Sequence, residues 1–141
     1  MKIAFVAGFG PIVRDVAASR AFYGEGLGIA LEEISTDYFG NDDLGGVNAF
    51  ALWPLAQAAE SCFGTDTWPD DIPAPCAWLE FDLESADAVA PAAAEMTEGG
   101  HRLLKEATEE PWGQTVARLL SPDGLLVGLT YTPWMHKTGT G

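Results

Sequence analysis

Residues 3–13, IAFVAGFGPIV, form an apolar run that predicts a strand. RDVAASRAFYGEGLG then predicts a helix in which Ala18, Ala21 and Phe22 share one face by i, i+3, i+4 spacing, with Gly24, Gly26 and Gly28 as the stop. IALEEIS and GVNAFALW read as strands. TDYFGNDDLG between them reads as a turn, because Asn, Asp and Gly supply turn chemistry. Residues 54–75 read as a polar connection carrying Pro69, Pro73 and Pro75. Its length in a compact domain points to a functional segment or a bridge between subdomains.

The same order then begins again. CAWLEFDL, residues 76–83, alternates Leu79, Phe81 and Leu83 with Trp78, Glu80 and Asp82, as a strand with two different faces requires. The first set is expected to pack on a helix, and the second to face a different environment. SADAVAPAAAEMTEGG predicts that helix, with Val89, Ala92, Ala93 and Met96 on one face and Pro91 marking a kink or a late start. HRLLKEA, TVARLLS and LLVGLTY follow as strands, the last two joined by a tight turn at PDG, residues 122–124. Setting Val13 against Leu83 superposes the halves at a spacing of 70, strand on strand and helix on helix. The reading is an internally duplicated α+β domain over 1–141, with modules at about 1–56 and 76–134 and a connection at 57–75.

Composition narrows this. At 141 residues, 48% apolar and 20% charged, the chain can bury a core as a single domain. The formal charge of −14 argues against nucleic acid and anionic lipid, both of which need a cationic footprint. No apolar run is long enough to span a bilayer, and strand-like sequence follows Lys2 where a leader would carry its apolar stretch, so a cytoplasmic protein is expected. Cys62 and Cys76 form neither a disulfide framework nor a metal cluster by spacing and are expected as buried or half-buried thiols. GEGLG follows a helix where a phosphate cradle would precede one, and reads as a terminator.

The doubled order resembles the vicinal oxygen chelate superfamily of glyoxalases, extradiol dioxygenases and bleomycin-resistance proteins. The residues carrying the resemblance are Val13, Asp15, Phe22 and Tyr23 in the first half, and Trp112, Gly113 and Ser121-Pro122-Asp123-Gly124 in the second. It implies two βαβββ modules whose curved sheets enclose a cavity, with helices outside. In the family's metalloenzymes, cavity-facing His, Glu or Gln side chains hold the ion. Carried over by position, those sites fall on Gly8, Ala51, Trp78 and Gly128, none of which is a donor. A slip of one residue offers Glu80 or Asp82 alone. Neither a metal nor another cofactor is therefore expected.

By parity Trp53 shares the face of Ala51, and Trp78 also faces the cavity. Trp68 lies in the connection, and Trp112 is held between Pro111 and Gly113 in a loop. Flat indoles favour a planar ligand, though they serve equally to fill a core or seal a subunit interface. Glu80 is a candidate to accept a ligand hydrogen bond, to attract a cation, or to act as general base if the protein is an enzyme. Gln114 is a candidate polar contact. Arg118 is expected in a surface ion pair, Asp82 in solvent, Trp134 in packing, and His101 and His136 in surface or structural roles.

The resemblance then implies a metal-free binding protein, like the superfamily's antibiotic-resistance members, that sequesters an aromatic or apolar small molecule as a homodimer. A glyoxalase-like lyase or isomerase using Glu80, and a domain with no ligand at all, are the alternatives.

Overall fold

The computed structural model describes residues 1–136. Eight strands form one open, curved sheet in the order β2-β3-β4-β1-β5-β8-β7-β6. They are β1 (Ile3–Val13), β2 (Glu32–Ser35), β3 (Tyr38–Asn41), β4 (Phe50–Pro54), β5 (Ala77–Leu83), β6 (Leu103–Glu109), β7 (Thr115–Leu120) and β8 (Leu125–Tyr131). The order has two equivalent halves. In each, the first strand pairs in parallel with the last, β1 with β4 and β5 with β8, and an antiparallel seam between β1 and β5 joins the halves. This is the pair of βαβββ modules expected from the sequence.

Helix α1 (Val16–Arg20) starts at Asp15, whose carboxylate accepts from the Ala18 amide at 3.0 Å, and widens into a π-helical turn over Ala21–Gly26. The expected face is corrected here: Ala18, Ala21 and Phe22 are exposed. Val16 and Tyr23 pack on Val13, Phe39, Phe50 and Leu52 instead. Val16 and Tyr23 are seven residues apart, two helical turns, so the packed stripe keeps the helical period and differs from the expected one in phase. Helix α3 (Val89–Glu98) has the expected face, with Val89, Ala92 and Ala93 buried and Met96 against them. Pro91 sits in its first turn, where no intrahelical partner for its nitrogen is needed.

Two segments differ from the sequence reading. Tyr38–Asn41, in the middle of the stretch read as turn, is strand β3, paired on both sides; turns remain at its two ends, Thr36 and Asp37 before it, the latter in the left-handed region at φ 59°, and Gly45 and Gly46 after it. Leu55–Phe63, read as connection, is helix α2. Its Leu55, Ala58, Ala59 and Cys62 recur at i, i+3, i+4, i+7, and left-handed Gly64 ends it. Ala58, Ala59 and Cys62 pack with Ile12, Ala51, Trp78 and Leu126 of the concave face, so α2 closes one end of that face.

Leu83 packs under α3, whereas Leu79 and Phe81 remain half-buried because α3 covers β6 to β8 and leaves the seam open. Cys62 is buried but Cys76, just before β5, is exposed. No helix among the described residues is long and apolar enough to cross a membrane.

Candidate functional site

A cavity of about 470 Å³ lies on the concave face, lined by residues of β1 to β5 and β7, the α2 residue Gln57, the loop before β7 that carries Trp112 and Gln114, and the segment after β8. Trp78 builds one wall. Register sets Gly10 opposite Trp78 and Gly8 opposite Glu80, and the indole lies across both glycines. A Cβ at Gly8 would sit 2.6 Å from two carbons of the six-membered ring, and one at Gly10 would sit 1.9 Å from the Ala51 carbonyl oxygen. The ring reaches across β1 to β4, where its Nε1–H donates to that oxygen at 3.1 Å. Trp53 meets it edge to face, at 6.3 Å between centroids and 80° between planes.

Glu80 and Arg118 form the polar core of the cavity. Both lie beside Gly128 in register, Glu80 from β5 and Arg118 from β7. A Cβ on Gly128 would stand 2.9 Å from Glu80 Cγ and 3.4 Å from Arg118 Nη1, so the glycine makes room for the pair. Arg118 Nη1 donates to Glu80 Oε2 at 3.1 Å, and its Nε donates to Ser61 Oγ on α2 at 3.1 Å. The guanidinium also lies 4.7 Å from the Trp53 ring centroid. Gln114 Nε2 donates to Glu80 Oε1 and to Thr132 Oγ1, while its Oε1 accepts from Trp112 Nε1 at 3.1 Å. Arg118, expected at the surface, is 2% exposed. The correction follows from register: β7 is an inner strand covered on both sides, and position 118 faces inward.

Tyr38 stands at the same cavity. Burial first, then the negative charges of Glu80 and Asp42, push its phenol well above the usual range and keep it protonated, against an opposing effect of Arg118. Burial likewise raises the Cys62 thiol.

Asp82, expected in solvent, is fully buried. Its carboxylate accepts from Thr130 Oγ1 at 2.5 Å, from the Thr132 amide at 2.7 Å and from Thr132 Oγ1 at 2.9 Å, and it meets His136 Nε2 at 2.6 Å. Four partners replace water, which is what burying a carboxylate demands. The His136 ring also stacks near Tyr131, at 4.4 Å. These contacts tie down the segment on which Trp134 and Met135 reach the cavity mouth.

Of the residues proposed from sequence, Trp53, Trp78, Glu80, Trp112 and Gln114 come together around this cavity. Trp68 does not. It is buried in the connection, edge-on to Phe63 and donating to the Ile72 carbonyl at 2.9 Å, because α2 turns the chain away before position 68. Trp134, expected in packing, is 62% exposed at the mouth. Tyr38, Gln57 and Arg118 were missed as lining residues. Inward parity of TVARLL would have indicated Arg118, whereas Gln57 lies off the Leu55, Ala58, Ala59, Cys62 stripe of α2 and no local pattern marks it. His101 is exposed after α3.

At the four positions where resemblance would place chelating groups, Gly8 and Gly128 are occupied space for neighbouring side chains, Ala51 offers a carbonyl already bonded, and Trp78 offers an indole. No group of three or more His, Cys, Asp and Glu among the described residues converges as a cation would need. The donor set does not fit a metal.

Residues 6–129 match the family described as the Glyoxalase/Bleomycin resistance protein/Dioxygenase superfamily. No curated relative matches the chain. Among solved structures, a glyoxalase/bleomycin resistance protein/dioxygenase superfamily member from Vibrio splendidus 12B01 is similar at TM-score 0.58 and 14% identity, over 93% of this chain and 100% of that one. A Streptomyces coelicolor methylmalonyl-CoA epimerase, in complex with 2-nitronate-propionyl-CoA, is similar at TM-score 0.56 and 19% identity, over 94% and 99%. A Legionella pneumophila protein described as an NAD-dependent benzaldehyde dehydrogenase gives 0.55 and 16%, over 88% and 96%. At these identities the likeness is one of fold, and the named activities differ among themselves.

Proposed function

We propose that this chain, which belongs to the Glyoxalase/Bleomycin resistance protein/Dioxygenase superfamily, is a cytoplasmic binding protein that sequesters an aromatic or apolar small molecule, of the antibiotic class, without transforming it. The observation that carries the reading is that Trp53, Trp78, Trp112 and Trp134 all border one cavity of about 470 Å³. That volume suits a drug-sized ligand, and each stacked ring pair adds about 0.5–1.5 kcal/mol to area burial. Glu80, the candidate base, is engaged on both oxygens by Arg118 and Gln114. It serves the protein's own donors, where a general base must reach a substrate proton.

A homodimer belongs to this reading. Val6 pairs with Phe81 and Phe9 with Leu79 on the face away from the cavity, and Val6 and Phe9 are 40% and 42% exposed, an apolar strip suited to a second copy. Sedimentation of the purified chain measures it.

The test is titration of the protein with planar aromatic compounds, following tryptophan emission, with mass analysis of each compound after overnight incubation. Saturable binding at one site per chain and recovery of the unchanged compound are expected. Trp112→Ala, at a half-exposed position, should weaken binding about tenfold while leaving stability within about 0.5 kcal/mol. Conversion of any bound compound, abolished by Glu80→Gln, would replace capture by catalysis.

A further inference from the structure

We infer that the cavity selects a neutral conjugated compound bearing a carbonyl oxygen, received by Arg118 and Tyr38 beside the Trp53 and Trp78 rings. This rests on the capture reading and adds the chemistry of the ligand's polar edge.

The polar groups of the cavity are mostly consumed within the protein. The Gln114 amide gives its nitrogen to Glu80 and Thr132 and its oxygen to Trp112, and the Trp78 N–H goes to Ala51. Arg118 is different. Its Nε serves Ser61 and its Nη1 serves Glu80, whereas Nη2 has no partner among the described residues. The Tyr38 hydroxyl likewise has none. Yet no enclosed side-chain nitrogen or oxygen among the described residues lacks a partner. Both atoms therefore border open space, and both residues line this cavity. A guanidinium only 2% exposed, with one nitrogen open to a cavity, is a built donor. Burial, and then the neighbouring negative charges, hold the phenol in its donating form.

What remains on offer is thus a pair of donors set among rings, and donors call for an acceptor oxygen. A carboxylate is one candidate and a carbonyl the other, and charge separates them. Arg118 is already neutralised by Glu80, Asp42 adds a further negative charge to the lining, and the chain as a whole carries −14. A second anion on the same guanidinium meets repulsion that a neutral carbonyl does not. The perpendicular Trp53 and Trp78 rings form a corner, so a planar skeleton can lie on one face with its edge toward the other.

Equilibrium dialysis of 9-fluorenone, fluorene and fluorene-9-carboxylate, which share one ring skeleton, tests this on the wild-type chain, Tyr38→Phe and Arg118→Lys. Fluorenone should bind roughly fivefold to tenfold tighter than fluorene, the worth of one net hydrogen bond, and tighter than the carboxylate. In Tyr38→Phe, which removes a hydroxyl with no partner among the described residues, the ketone preference should fall to about twofold or less. Fluorene affinity should be unchanged there, which also reports an intact fold. Arg118→Lys, which keeps a cation for Glu80, should reduce the preference similarly. Equal binding of ketone and hydrocarbon, a preference that survives both substitutions, or tightest binding of the carboxylate overturns the inference and leaves capture standing. Binding of none of the three overturns capture as well.

Discussion

Gly8→Ala adds one methyl group to the strand beneath Trp78. The new Cβ would stand 2.6 Å from two ring carbons and 3.2 Å from the Ala49 carbonyl oxygen, where carbon atoms in contact prefer about 3.5–4.0 Å. The ring cannot easily tilt away, because its Nε1–H is held by Ala51 and the residue is 3% exposed. Overpacking of this kind costs about 1–3 kcal/mol. Replacing a glycine also removes unfolded-chain entropy, which returns about 0.4–1 kcal/mol, since position 8 has no positive φ that alanine would resist. The net expectation is a loss of about 1–2 kcal/mol in urea unfolding followed by circular dichroism, with an unchanged m-value.

The decisive comparison is with Trp78→Leu. That change alone should cost about 2–4 kcal/mol through the void it leaves. Adding Gly8→Ala to it should then be neutral or slightly stabilising, because the ring atoms that clash are gone. The two sites should therefore couple by about 1–3 kcal/mol in a double-mutant cycle. A Gly8→Ala protein within about 0.5 kcal/mol of wild type, or an equal penalty in both backgrounds, refutes the claim that the glycine exists to seat the indole.

Two further outcomes follow from the polar network. Arg118→Met should lose about 3–5 kcal/mol, because Glu80 would stay buried without its cation, and adding Glu80→Gln should restore more than half of that loss; chemical denaturation of the three proteins measures it, and no recovery in the double variant counts against the pair. The native state holds protons on Tyr38 above the ordinary 10.0 and on Cys62 above the ordinary 9.0, so the stability tied to them is complete below about pH 9 and drains away as pH rises through the native pKa values. Unfolding free energy should fall between pH 9 and 11, with a shallower fall in Tyr38→Phe and in Cys62→Ala; superimposable profiles for all three proteins would contradict the assignment.

Much of the fold could be read from local pattern. The two-faced alternation of CAWLEFDL, the alanine stripe of α3 and the spacing of 70 between equivalent segments are all short-range signals, and short-range signals survive in a sequence. α2 was missed because its buried stripe is largely alanine, a weak apolar mark, and because prolines at 69, 73 and 75 dominated the reading of the whole connection. β3 was missed because Asp37 and Asp42 bracket its four residues, and Asn41 ends them, with turn chemistry, while what makes those residues a strand is pairing with β4, set by sequence further along. The site divides the same way. Trp53, Trp78 and Glu80 follow from parity. Arg118 looked like a surface cation because its partner is 38 positions away and meets it only across β8. Asp82 looked solvated because its partners lie beyond position 129.

The spacing of 70 that relates the modules also pairs Gly8 with Trp78 as equivalent positions. A cation held between the halves would need a donor at both. Here the second module has put the largest side chain at its position, and the first has put none at its own, so one indole fills the space of two. The device recurs beyond the seam: Glu80 of β5 and Arg118 of β7 extend into room left by Gly128 of β8, which lies between them. Alternation of glycine with a long side chain across β1, β5, β8 and β7 thereby converts the interior from a place where small ligands converge on a point into a walled slot. α2 closes one end of it and leaves Arg118 Nη2 facing the open space. A chelating side chain placed at position 8 would collide with Trp78 before it met an ion, so the ring and a donor at that position exclude each other.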